Sequence, residues 1–196
     1  MKKKTIPFTG AWADAFGAPE RTGVWFLWGH SGNGKTSFVM QLTAELSLHG
    51  RVLFVPLEEE FSKTTQDSVR RHNLVEKNGK IKFLSCDTLE ELSEYLKKPK
   101  TPDFVIVDSY QYTQLSYKAY LRFKREHRNK LIVFVSHASG NLPAGRSAVS
   151  VMYDAALKIY VSGYRAVSRG RFIGPVGFYT IWEEGAARCW RNNEQL

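Results

Sequence analysis

Short runs of apolar residues alternate along the chain with longer stretches of helical pattern. Almost continuous apolar character is typical of strands that are buried on both faces of a sheet. Such strands are predicted over residues 24–28, 52–55, 81–84, 104–107 and 131–135. Helices are predicted over residues 35–48, 62–72 and 115–127, and a helix opening on a capping box at 87–90 extends to about residue 96. Strands separated by helices predict an α/β fold in three layers, with helices on both faces of a mostly parallel sheet.

The last part of the chain has a different pattern. Residues 156–182 are rich in β-branched and aromatic side chains, which favours antiparallel hairpins at the C-terminal side of the sheet. A length of 196 residues suits one domain with a sizeable core. We therefore predict one domain over residues 21–196, preceded by a lead-in segment over residues 1–20.

A glycine-rich loop follows the first apolar run and has the spacing G-x-x-x-x-G-K-T. Glycines let such a loop curl so that its N–H groups point at phosphate oxygens, and the next helix offers its positive amino end. In this motif Lys35 neutralises the β- and γ-phosphates, and the Thr36 hydroxyl binds Mg²⁺. The sequence thus predicts ATP and magnesium as ligands. The candidate phosphate-binding residues are Gly29, His30, Ser31, Gly32, Asn33, Gly34, Lys35, Thr36 and Ser37.

Polar residues follow three other apolar runs, and parallel strands would bring them to the same edge of the sheet. Asp108 ends one run and is a candidate magnesium ligand. Glu58, the first of three consecutive acids, is a candidate for orienting or deprotonating an attacking water, although such runs are also typical of solvated turns. His137 is either a sensor of the γ-phosphate or an ordinary hydrogen-bonded histidine.

Two arginines in the C-terminal part are candidates for contact with phosphate. Arg169 and Arg171 are two residues apart, so on a strand their side chains would point the same way. Such a pair could bind phosphate as arginine fingers. An exposed hairpin with scattered charge is the alternative interpretation.

The net charge is +9, and Asp154 is the only acid between residues 127 and 182. One-signed charge favours a polyanionic partner such as nucleic acid, although a solvated basic face is the alternative. No apolar run approaches the ~20 residues of a membrane-spanning helix, so no membrane association is expected. Since no apolar stretch follows the N-terminal lysines, we expect a cytoplasmic location.

These motifs together resemble the RecA-like P-loop ATPases, in particular the RadA/Sms branch and the DnaB-type replicative helicase core. The resemblance rests on the glycine loop and on residues 52–59, 105–111 and 169–177. It implies that Glu58 is the catalytic glutamate and that the hairpin carrying Arg169 and Arg171 reaches the nucleotide of a neighbouring subunit. It therefore implies a homo-oligomer. The chain departs from the family at Arg169, where the family has lysine, and at Ile173, an extra residue before the glycine.

The resemblance also implies DNA-binding loops near residues 110–116 and 138–150, with single-stranded DNA favoured. Tyr110, Tyr112 and Tyr117 lie in or beside the first loop and could stack on bases, or be ordinary core or surface tyrosines. The chain lacks the cysteine cluster of RadA, and we expect an ATPase core alone. The leading hypothesis is a DNA-linked ATPase. The alternatives are a non-catalytic, ATP-switched binding module and a kinase for small molecules or nucleotides.

Overall fold

The apolar runs form the centre of a nine-stranded sheet in the computed structural model, which describes residues 4–57, 67, 69–72, 74, 79–170 and 177–191. The strands are β1 (Gly23–Gly29), β2 (Val52–Pro56), β3 (Ile81–Phe83), β4 (Phe104–Asp108), β5 (Leu131–Ser139), β6 (Leu142–Pro143), β7 (Leu157–Ser162), β8 (Arg165–Gly170) and β9 (Phe178–Thr180). The α-helices with described bounds are α1 (Gly10–Phe16), α2 (Lys35–His49), α3 (Leu89–Lys97), α4 (Tyr117–Glu126), α5 (Arg146–Asp154) and α6 (Glu183–Trp190). A 3₁₀ helix covers Tyr110–Thr113.

The strand order is β3-β2-β4-β5-β1-β7-β8-β9, and β6 pairs with β5 outside this path. The first six strands of the path are parallel, whereas β8 and β9 are antiparallel. This arrangement confirms the predicted mostly parallel sheet with antiparallel C-terminal strands. Because β1 lies between β5 and β7, the loop that follows β1 begins near the middle of the sheet edge.

Alternation along β1 explains why helices cover both faces of the sheet. Trp25 and Leu27 belong to a core shared with α2, whereas Phe26 and Trp28 belong to a second core shared with α3, α4 and α5. All four side chains are at most 1% exposed. Successive side chains of a strand point to opposite faces, so a continuously apolar strand requires a helical layer on each side. No described helix is long and apolar enough to cross a membrane.

Residues 4–20, which the sequence analysis set apart as a lead-in, pack against the α2 side of the sheet. Ile6 and Phe16 are 0% and 1% exposed and join the same core as α2. Trp12 on α1 stacks on Tyr179 of β9, with ring centroids 4.2 Å apart. Apolar residues at irregular spacing gave no periodic signal, so only tertiary contacts explain their burial.

Several local predictions differ from the structure. The cap of α3 is Thr88, whose hydroxyl oxygen accepts a hydrogen bond from the Glu91 amide at 3.2 Å. The predicted capping box thus begins one residue too early. Helix α5 and strand β6 occupy residues 142–154, where we expected a mobile loop. The predicted helix over 62–72 lies largely outside the described residues, of which 69–71 are helical.

Candidate functional site

A cavity of about 400 Å³ lies at the carboxyl edge of the parallel strands, within the size range of small-molecule sites. The register explains its position: Gly29 at the end of β1 pairs with His137 on β5, and Asp108 at the end of β4 pairs with Val135. Its lining residues are Ser31, Gly32, Gly34, Lys35, Thr36, Ser37, Met40, Phe54, Pro56, Asp108, Ser109, Val135, Ser136, His137 and Tyr164. The strand ends thus bring most of the predicted site residues to one place.

Two glycines shape the loop between β1 and α2. Gly32 and Gly34 have φ angles of 75° and 94°, in the left-handed region where a side chain is strained. Helix α2 begins directly after Gly34, and no described side chain caps its amino end. The first N–H groups of a helix lack partners within the helix, so this end retains its capacity to bind an anion.

A cation, a hydroxyl and a carboxylate meet in the cavity. The Lys35 ammonium donates a hydrogen bond to the carbonyl oxygen of His30 at 3.0 Å and so lies along the loop. Thr36 and Asp108 line the same space. Among the described residues, no three His, Cys, Asp or Glu side chains cluster to hold a metal ion. A divalent cation bound here would therefore take most of its ligands from substrate and water.

Gly29 and His30, both predicted to bind phosphate, do not line the cavity. A Cβ at Gly29 would lie 2.3 Å from the Val161 carbonyl oxygen, so glycine here allows β7 to approach β1. His30 Nε2 forms a hydrogen bond with the carbonyl oxygen of Gly140, at 2.9 Å. The His30 side chain therefore connects the loop to the turn between β5 and β6.

Asn33 also lies outside the lining and connects the loop to the turn between β7 and β8. Its Oδ1 accepts a hydrogen bond from the Gly163 amide at 2.8 Å, and its carbonyl oxygen accepts one from the Tyr164 amide at 3.2 Å. The same turn carries the Tyr164 side chain into the cavity wall. Sequence analysis missed Tyr164, because no local pattern links it to a loop 130 residues away.

The segment after Asp108 contributes two further residues. Ser109 lines the cavity and is 2% exposed, and its Oγ has no hydrogen-bond partner among the described residues. Gln111 Nε2 donates to the Ser136 hydroxyl at 2.7 Å, and its Oε1 accepts from the His137 amide at 3.2 Å. Gln111 therefore joins the 3₁₀ helix to β5. Its place in the run after Asp108 was the signal available in the sequence.

The two predicted DNA-binding loops are largely regular structure. Tyr110 is buried, and its hydroxyl forms a 2.6 Å hydrogen bond with the Ser147 hydroxyl on α5. Burial raises the pKa of Tyr110 above its ordinary value, so the phenol stays protonated. Tyr112 and Tyr117 are exposed, whereas Tyr110 is part of the core and is not available to stack on a base.

The predicted catalytic residues outside the loop are described only in part. Glu58 and Arg171 lie outside the described residues. Arg169 lies on β8, where its backbone pairs with Lys158 of β7. Since Val161 of β7 pairs with Gly29, Arg169 is set back by three residues, roughly 10 Å of strand, from the edge that carries the cavity. Strand β8 thus runs away from the glycine loop of its own chain.

Comparison with known proteins gave structural relatives only. No family model matches the chain, and no curated protein matches its sequence. Among solved structures, a KaiC-like protein from Pyrococcus horikoshii is 18% identical with a TM-score of 0.61, and the match covers 89% of this chain and 90% of that one. The flagellar accessory protein FlaH from Methanocaldococcus jannaschii is 13% identical with a TM-score of 0.58, covering 89% and 84%.

A third match is the ATPase domain of a DnaB-type helicase, 13% identical with a TM-score of 0.59, covering 81% of this chain and 80% of that one. The chain has the RecA-like P-loop ATPase fold. This confirms the fold class and the DnaB-type relationship expected from the motifs. The RecA-like sheet explains why the cavity lies where β1, β4 and β5 end, since ligands of parallel sheets bind beyond the carboxyl ends of the strands.

Proposed function

We propose that the protein binds ATP with magnesium in this cavity and hydrolyses it. The observation that carries the proposal is the meeting of Lys35, Thr36 and Asp108 in one cavity at the amino end of α2. An ammonium group and an uncapped helix terminus suit a triphosphate, because both stabilise negative charge. The solved structures of similar fold include an ATPase domain, which is consistent with this activity.

The polar lining fits a hydrated magnesium ion. The Thr36 hydroxyl and the Asp108 carboxylate would hold it, directly or through water, and the buried Ser109 hydroxyl, unpaired among the described residues, would complete a hydrogen bond to that shell. When bound, magnesium neutralises phosphate charge that develops during phosphoryl transfer. Lys35 stabilises the γ-phosphate, and His137 together with Ser136 forms the wall where that phosphate would end.

Glu58 is the proposed activator of water, since it follows directly on β2 and Leu57. Glu58→Gln should lower the turnover rate by about 100-fold or more, because the amide cannot accept the proton of the attacking water. ATP affinity should change little. Glu59→Gln and Glu60→Gln are the matched controls and should retain turnover. If the wild type binds ATP without hydrolysing it, the protein is an ATP-switched binding module, and if it binds no nucleotide the proposal fails.

A trans-acting hairpin is the second part of the proposal. Strand β8 runs away from the glycine loop of its own chain, so Arg169 and Arg171 are better placed to serve a neighbouring subunit than their own site. Arginine fingers stabilise the charge of the transition state. Turnover per subunit should therefore rise with protein concentration as the chain assembles.

Coupling to single-stranded DNA is the third part, and the structure narrows the residues that could serve it. Lys130, Lys158 and Arg165, all from the acid-poor stretch, are engaged within the molecule. The ammonium of Lys130 is buried and donates to the Pro102 carbonyl oxygen at 2.8 Å, and that of Lys158 donates to the Ala155 carbonyl oxygen at 2.8 Å. The guanidinium of Arg165 lies over two aromatic rings. Net charge alone therefore overstates the basic surface.

Exposed groups that suit a nucleic acid lie beside the cavity, where the 3₁₀ helix meets α5. Tyr112 and Leu142 are 51% and 45% exposed, and Arg146 is exposed at the start of α5. The two elements are joined by the hydrogen bond between Tyr110 and Ser147. Aromatic side chains stack on bases, and arginine contacts phosphates.

A single-stranded oligonucleotide should therefore stimulate ATP turnover, and added salt should weaken its binding. The double variant Tyr112→Ala with Arg146→Ala should reduce DNA affinity about tenfold and remove the stimulation. Tyr153→Ala, which alters a 64% exposed tyrosine near the other end of α5, is the control. Equal turnover with and without DNA, together with no DNA binding at low salt, would refute this part alone.

A further inference from the structure

The turn between β7 and β8 has an unusual composition. Gly163 and Tyr164 have φ angles of 51° and 59°, so both central residues of the turn are left-handed. Glycine and asparagine are the usual residues in such hairpin turns, because a bulky side chain is strained there. An aromatic residue in this conformation persists when other contacts stabilise it, and such positions are frequent at functional sites.

The backbone of the turn is fixed from two sides. The Gly163 amide donates to Asn33 Oδ1 at 2.8 Å, and the Gly163 carbonyl oxygen accepts from the Trp190 indole at 3.0 Å. The Tyr164 carbonyl oxygen accepts from the Ile181 amide at 2.8 Å. The turn is therefore held between the glycine loop and α6, and it presents Tyr164 at one position.

Glycines leave room for the ring of Tyr164. A Cβ at Gly34 would lie 3.0 Å from Tyr164 Cδ1, and a Cβ at Gly185 would lie 2.8 Å from Cδ2. Trp182 meets the ring edge-on, with centroids 5.0 Å apart. The Tyr164 ring is thus held beside the loop, where it lines the cavity.

Strand order indicates which part of a nucleotide would meet this ring. Asp108, on β4, lies to one side of β1, and the turn with Tyr164 follows β7 on the other side. Terminal phosphates and magnesium belong on the Asp108 side. The nucleoside, at the opposite end of the triphosphate, then extends towards β7.

We propose that Tyr164 binds the nucleobase, with the base stacked on its ring. This inference rests on the proposed binding of ATP and adds the group that recognises the base. Base stacking on an aromatic ring typically changes affinity by about tenfold or more. Since every base has a π-face, stacking alone favours nucleotides over inorganic phosphates without selecting one base strictly.

The test compares Mg²⁺-ATP with Mg²⁺-tripolyphosphate, which has the phosphates and no base, by titration calorimetry. Tyr164→Asn removes the ring and keeps a residue that tolerates the left-handed turn. We expect this variant to lose about tenfold or more in ATP affinity and to bind tripolyphosphate as the wild type does. Tyr164→Phe should bind both ligands normally. Tyr153→Ala is the control for loss of an exposed tyrosine.

A second measurement uses the unaltered turn, in case Tyr164→Asn does not fold. In protein labelled with fluorotyrosine, the fluorine NMR signal of Tyr164, identified by its loss in Tyr164→Phe, should shift with ATP and not with tripolyphosphate. Equal loss of both ligands in Tyr164→Asn, no loss of either, or the same fluorine shift with both ligands would overturn the inference. If the wild type bound neither ligand, the proposed function itself would fail.

Discussion

Glycines of a single motif have different physical roles in this protein. Gly32 and Gly34 provide left-handed backbone in the loop, whereas Gly29 has no side chain because the β7 backbone lies against it. The motif predicted glycine at all three positions for phosphate binding. Only the packing of β7 on β1 distinguishes the two roles, since the contacting Val161 is far along the chain.

Gly29→Ala should lower the free energy of unfolding by about 3 kcal/mol, because its Cβ would overlap a backbone carbonyl that cannot move without shifting β7. Gly32→Ala, where a Cβ meets nothing within 4 Å, should cost only the strain of left-handed backbone, about 1 kcal/mol. Urea denaturation of the two variants measures both values. Equal losses would contradict the assigned role of Gly29.

At the scale of elements, α4 and α5 are joined by a partly buried carboxylate. Asp154 accepts hydrogen bonds from the Tyr120 hydroxyl and from the Lys124 ammonium, the latter at 2.7 Å. Burial raises the pKa of Asp154, but these hydrogen bonds outweigh it and hold the pKa below its ordinary value. The only acid of the basic stretch therefore has a structural role between two helices.

Asp154→Asn should lower the free energy of unfolding by about 1–2 kcal/mol at neutral pH. Because the folded-state pKa is depressed, the contribution of Asp154 is complete above the unfolded pKa of about 3.9 and is lost as the pH falls through the folded value. The difference between wild type and variant should therefore shrink below about pH 4. Glu126→Gln, which alters an ion pair with the exposed Arg122, is the control and should change stability little. A difference independent of pH would contradict this assignment.

The elements also show where local signals suffice. The near-continuous apolar character of β1, β2, β4 and β5 required burial on both faces, and the sheet provides it. Helix α5 was missed because its first residues resemble a loop, with Gly145 before Arg146 and two serines following. Its stability comes from burial of Val151 and Met152 against the sheet, which a local pattern does not reveal.

At the scale of the whole molecule, the proposed active site requires two chains. We expect Lys35→Ala and the double variant Arg169→Ala with Arg171→Ala each to have little ATPase activity. Mixing them should restore activity, because a site with an intact Lys35 then meets a neighbour with intact arginines. Random assembly predicts recovery of about a quarter of wild-type turnover at equal mixing.

Sedimentation of the mixture, with one variant labelled, would verify that the two chains assemble together. Co-assembly without recovery of turnover would exclude a trans-acting hairpin. Recovery of activity by the arginine variant alone at high concentration would show that the arginines are dispensable.

The sequence by itself determined the RecA-like class, the glycine loop and the positions of Lys35, Thr36 and Asp108. Those features follow from neighbouring residues, since strand, loop and helix are adjacent in the chain and their chemistry depends on spacing. Only the tertiary structure decided which basic side chains remain exposed, and which residues such as Ser109 and Tyr164 line the cavity. The physical reason is that burial and hydrogen bonding depend on residues that approach from distant parts of the chain.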